Sequence, residues 1–82
     1  MLFQPVWKEK LICTCKAGGF VLDMPMGVAS VYLPPERVWR KQAPPWAAAH
    51  WTGIEAQLRA WCDAQKIPLH IDDNAVVQPL QP

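Results

Sequence analysis

Cysteine and histidine are the residue types here with ligand or nucleophile chemistry, and the chain carries Cys13, Cys15, Cys62, His50 and His70. Together they supply the donor types of a structural zinc site, but such sites draw paired ligands from tight turns with two to four residues between them. Cys13 and Cys15 are separated by one residue inside an alternating, strand-like segment. The expectation is therefore that the three thiols are small buried hydrophobes, as free cysteine commonly is, and that no metal or other cofactor is held. A redox role would need an exposed thiolate of low pKa, and Lys16 is the one cation beside Cys15.

Nor do these residues assemble a recognisable catalytic motif. Cys62 lies on the apolar stripe of a helical segment, a poor place for a nucleophile, and the chain has no Ser-centred elbow, phosphate loop or metalloprotease helix. Asp72-Asp73-Asn74 lacks the spaced ligands and closing Glu of a calcium loop and reads as a turn. A non-enzymatic protein is expected.

Binding chemistry is better represented. Five tryptophans in 82 residues, Trp7, Trp39, Trp46, Trp51 and Trp61, are unusual, and each can bury roughly 150–250 Å². The Pro-rich connection 33–46 surrounds Trp39 with Arg37, Arg40 and Lys41, which suggests two readings. A base could stack on the indole while the cations hold phosphates, although three cations offset by Glu36 make a weak electrostatic footprint. Alternatively, Trp, Tyr and Arg are the types that dominate protein–protein hot spots. The favoured reading is a small protein-interaction module, such as an accessory subunit, an inhibitor or an immunity-type partner. Its candidate contacts are Trp7, Tyr32, Arg37, Trp39, Arg40 and Lys41, with a homodimer through a sheet face or edge as one form of it. Weak nucleic-acid binding and a Cys/His metal site stand behind it as alternatives.

Length and composition set the frame. A chain of 82 residues with net charge +1 and 51% hydrophobic residues fits one compact domain, too apolar to be disordered despite nine prolines. It lacks the clustered basic excess of a nucleic-acid or membrane-surface binder. No apolar run nears the ~20 residues of a membrane span, and the first ten residues lack signal-peptide order. With an odd number of cysteines, the expected location is the cytoplasm.

The elements that must position these residues follow from periodicity. From Trp7 to Lys16 apolar and polar residues alternate, with Glu9 and Ile12 as exceptions, and predict a strand. Gly18-Gly19 suits a two-residue hairpin turn, pairing Cys15 with Leu22 and Cys13 with Met24 in a second strand, Phe20–Met24. A four-residue loop, Pro25 to Val28, would put Ala29, Val31 and Leu33 inside and Ser30 and Tyr32 outside; a three-residue loop would reverse that parity.

A helical turn is expected from Pro35-Glu36 to Arg40-Lys41, ended by Ala43-Pro44-Pro45. Ala47, Trp51, Ile54, Leu58, Trp61 and Cys62 then form an amphipathic stripe. One helix from Pro45 through Lys66 is preferred over a restart at Thr52, whose Thr52-Gly53-Ile54-Glu55 matches a capping box. Ile67, Leu69 and Ile71 read as an edge strand, and Ala75–Val77 as a brief pairing segment. The fold expected is a small two-layer α+β domain, an antiparallel three-stranded meander followed by a long helix packed on the sheet and a short fourth edge strand (βββαβ). The domain would span 1–77, with 78–82 a flexible tail.

Overall fold

The structure is a computed structural model that describes residues 1–6, 9–25, 27 and 29–80. Its elements run β1 (Leu2–Val6), β2 (Lys10–Cys15), β3 (Gly18–Asp23), β4 (Val31–Leu33), α1 (Glu36–Gln42), α2 (Pro45–Ala48), α3 (Trp51–Gln65), β5 (Leu69–Ile71) and β6 (Val77–Pro79). The expected two-layer α+β architecture is present: a six-stranded, mostly antiparallel sheet carries the helices on one side. The sheet runs β1-β2-β3-β4-β5, and β6 also pairs with β3. β4 takes one end of β3 at Asp23, while β6 takes Phe20–Leu22 along the same edge. The strand after the helices, β5, pairs in parallel with β4.

Several details differ from expectation. The first strand proper is β1, which antiparallel pairing joins to β2; Pro5 hides it from a propensity reading, yet a proline with no N–H is tolerated on an edge strand. β2 begins at Lys10 rather than Trp7, and Trp7 and Lys8 lie outside the described residues. Glu9, the acid that spoiled the alternation, is not in the strand and takes φ 62°.

The hairpin turns at Lys16-Ala17, not at Gly18-Gly19. Cys15 pairs with Gly18, Cys13 with Phe20 and Leu11 with Leu22. Both glycines are strand residues kept bare by neighbours. A Cβ on Gly18, whose φ is +144°, would lie 2.9 Å from Nε1 of Trp46, and one on Gly19 would lie 2.8 Å from Cδ2 of Leu80 and 2.9 Å from the Cys13 carbonyl oxygen. The register slip is even-numbered, so each residue keeps its side of the sheet.

Val31 and Leu33 face inward and Tyr32 outward, as the four-residue loop required. The strand starts only at Val31, however, with Asp23 opposite Tyr32. In the longer connection Ser30 is buried and Ala29 exposed, the reverse of expectation; Met26 and Val28 lie outside the described residues.

The continuous helix is also corrected. α2 and α3 are separated at Ala49 and His50, whose ψ angles are 2° and 23°. No side chain caps α3, so the Thr52 capping box is not used. Geometry explains the break: five residues apart at 100° each, Trp46 and Trp51 would sit roughly 140° apart around one helix. The interruption lets Trp46 lie on Gly18 and Phe20 while the Trp51 indole N–H donates to the Pro34 carbonyl at 2.8 Å.

The core joins Leu11, Cys13, Phe20, Leu22, Val31 and Leu33 of the sheet to Trp39, Ile54, Leu58 and Cys62 of the helices. Trp61 closes one side against Phe3 of β1, with centroids 5.7 Å apart. Gln78 and Pro79, placed in a flexible tail by the sequence, belong to β6. Their strand is held by Val77 N–H donating to Oε1 of Gln42 and by Leu80 N–H donating to the Gly19 carbonyl, both at 3.0 Å.

Candidate functional site

The Pro-rich connection does not present its tryptophan. Trp39 is 0% exposed, its indole N–H donates to the Ala47 carbonyl at 3.0 Å, and its ring meets Phe20 edge-on at 5.0 Å. A buried indole can neither stack a base nor anchor a partner, so Trp39 leaves the candidate set. Around it Arg37, Arg40 and Lys41 remain exposed. Arg37 pairs with Asp73 at 2.7 Å and Arg40 with Glu36 at 3.1 Å. These solvated pairs contribute ~0–1 kcal/mol each, and they satisfy two of the three cations. Trp7 lies outside the described residues.

The cysteines and histidines do not converge. Among the described residues, no group of three or more His, Cys, Asp or Glu is placed to hold a metal. Cys13 and Cys62 are buried in the core, Cys15 is exposed at the end of β2, and His70 stacks on Tyr32 at 5.1 Å. Cys15 and His50 both line a shallow, mainly apolar cleft of about 360 Å³ between the β2–β3 turn and the start of α3. Cys15 was expected among the buried thiols. It is exposed because β2 ends there, at the rim of this cleft.

Burial pushes the Cys13 thiol far above its ordinary value, and the neighbouring Cys62 adds to this. Cys62 is pushed up to about 11 by burial and then by Asp63, against the lowering influence of Arg59. Both thiols favour the neutral form in the fold. For Cys62 the stability this contributes is present below the ordinary thiol pKa of 9.0 and is lost as pH rises from there through about 11, and for Cys13 the loss extends to higher pH still. Titration with a disulfide reagent at pH 8 should find one fast thiol, Cys15, with the other two appearing only on unfolding. Three equally fast thiols in the folded protein would contradict that burial.

Among the described residues, the outer side of the sheet is left uncovered by the helices. In the paired registers the outward residues form three rows across the strands. The first is Leu2, Thr14 and Gly19, continued by Leu80, whose side chain would touch a Cβ placed on Gly19. Gln4, Ile12, Val21 and Gln78 make the second row. The third is Val6, Lys10, Asp23, Tyr32 and His70.

Open antiparallel faces are ordinarily polar. Here Leu2 and Leu80, at the two ends of the first row, and Ile12 and Val21, side by side in the second, make an apolar group, with Leu2 57% and Leu80 38% exposed. The charges in these rows, Lys10 and Asp23, close on each other at 2.7 Å. Beside them is a second hollow of about 230 Å³, walled by Glu9, Pro25, Tyr32 and Asp72.

Ile12 was visible in the sequence as a break in alternation; the contribution of Leu2 and Leu80 was not, because both strands that carry them were unread. Among the described residues, no helix is long and apolar enough to cross a membrane. Comparison with protein-family models, curated proteins and solved structures finds no match.

Proposed function

We propose that this protein is a non-enzymatic interaction module whose contact surface is the open side of its sheet. The observation that carries the reading is the apolar group Leu2, Ile12, Val21 and Leu80 in the first two rows of a sheet side that the core helices do not cover. The apolar group itself carries no charge, and Lys10 and Asp23 in the row beside it pair with each other. Such a surface gains free energy by leaving water, at about 25 cal/mol per Å², without stranding a charge.

Tyr32 extends the surface at its third row, and of the original candidates it is the aromatic best placed to contribute. Arg37, Arg40 and Lys41 belong to another part of the molecule and serve solubility in this reading. Protection of Leu2 and Leu80 from radical oxidation in a native extract tests it.

A further inference from the structure

We propose that the open sheet side takes a basic, extended segment of a partner protein, which lays an aliphatic side chain on Ile12 and Val21 and an arginine, two residues on, in the hollow beside Tyr32. The inference rests on the interaction reading above and names the chemistry of the occupant.

Charge complementarity selects it. The hollow of about 230 Å³ at the third row is lined by Glu9, Asp23 and Asp72, three carboxylates against the one ammonium of Lys10. Lys10 is closed on Asp23 at 2.7 Å, and His70, which extends the row, is neutral in the formal charge at pH 7. Among the described residues Glu9 and Asp72 enter no ion pair, whereas the adjacent Asp73 is neutralised by Arg37. Two carboxylates are thus left over beside an uncharged apolar group.

A partner cannot cover one without reaching the other. Lys10 and Asp23 are each two residues along their strands from Ile12 and Val21, a step of ~7 Å. A wholly apolar partner would strip water from Glu9 and Asp72 and give nothing back. A second copy of the chain brings the same acidic surplus, and the phosphates of a nucleic acid would be repelled by it. The occupant must therefore supply cations at the third row and apolar side chains at the second. An extended segment does so with one spacing, because its same-side residues are also ~7 Å apart.

The walls of the hollow favour arginine. Tyr32 is half-buried, and its ring is held by stacking on His70 at 5.1 Å and 27°; a planar guanidinium packs on such a ring better than an ammonium does. Asp72 is held as well, since its Oδ1 accepts the Asn74 N–H at 2.8 Å, which leaves its second oxygen for a donor. The volume falls below the roughly 300–1,000 Å³ of pockets that enclose whole small molecules, so it suits one side chain carried on a segment.

The test follows amide chemical shifts of the full chain as acetyl-Val-Thr-Val-Thr-Arg-amide is added. Saturable shifts at Ile12, Val21, Tyr32 and Asp72 are expected, and none with the same peptide ending in Glu. Glu9→Gln combined with Asp72→Asn should weaken binding about 3–10-fold, the worth of two exposed ion pairs, with an unchanged circular dichroism spectrum; Asn at position 72 keeps the acceptor for Asn74. Raising salt from about 0.1 to 1 M shortens the Debye length from ~10 to ~3 Å and should weaken binding several-fold with no variant at all.

Equal binding of the Arg and Glu peptides, or no shifts with the Arg peptide at millimolar concentration, overturns the inference. Binding of N-acetylarginine amide as tight as that of the peptide overturns the segment, because the apolar row then contributes nothing. If the Arg peptide fails and Leu2 and Leu80 are nevertheless protected in extract, the basic occupant is wrong and the interaction reading survives. If neither is seen, both fail.

Discussion

Trp39→Ala should unfold much of the population at physiological temperature. The indole is fully buried, bonded to the Ala47 carbonyl and packed edge-on against Phe20. Emptying such a site costs ~3–5 kcal/mol. At ~0.05–0.15 kcal/mol per residue, a domain of 82 residues holds ~4–12 kcal/mol in total. The loss is thus comparable with the whole stability at the lower end of that range. A thermal melt should move down by more than ~12 °C, at about 4–8 °C per kcal/mol for domains of this size. Trp39→Phe separates the two contributions, retaining an aromatic while leaving the Ala47 carbonyl without its donor, a change of ~1–3 kcal/mol. A melt for Trp39→Ala within a few degrees of wild type would show that the indole is not the staple between α1, α2 and the sheet.

Gly18→Val should be the second most damaging substitution. At φ +144° a β-branched residue is strained, and its Cβ would stand 2.9 Å from the Trp46 indole nitrogen. Strain alone is worth ~1–3 kcal/mol, and Trp46 must also leave its seat beside Phe20. A change of opposite sign is expected at Gly53. No atom lies within 4 Å of a Cβ built there, and the residue is inside α3, so Gly53→Ala should stabilise by ~1 kcal/mol. Two melts measured together check both. If Gly18→Val is neutral, the positive φ and the close approach of Trp46 to Gly18 are wrong.

That contrast locates what was legible in the sequence. The helical stripe of Ile54, Leu58 and Cys62, the inward Val31 and Leu33, and the two-layer arrangement follow from periodicity, because burial on one side enforces it. Gly18-Gly19 misled because a glycine pair signals either a turn or a close approach. Only tertiary contact with Trp46 and Leu80 distinguishes the two. β1 and β6 were unread for a related reason: both contain a proline and draw their order from pairing with β2 and β3, which local pattern does not encode. The helix break at Ala49-His50 serves two tryptophans at once, a demand of packing and not of propensity.

The candidate site shifted on the same grounds. Trp39 among Arg37, Arg40 and Lys41 looked like a displayed aromatic, but a short helix turns its ring into the core and its cations outward. The open side of the sheet could not be read without β1 and β6, which contribute Leu2, Gln4, Val6 and Gln78, with Leu80 following β6 directly. Ile12 and Val21 alone would have been two scattered apolar residues. Placed side by side by the register, they become the centre of a surface.

The most direct measurement is hydroxyl-radical footprinting of the protein in its native extract against the same protein purified and dilute. Leu2 and Leu80 lie on the proposed surface at 57% and 38% exposure; Ile71 is comparably exposed, at 42%, and lies off it, paired with the inward-facing Leu33. In extract the oxidation of Leu2 and Leu80 should slow several-fold while Ile71 keeps its rate. Protection of Ile71 with Leu2 and Leu80 unchanged would contradict the account and move the interaction surface away from the open side of the sheet.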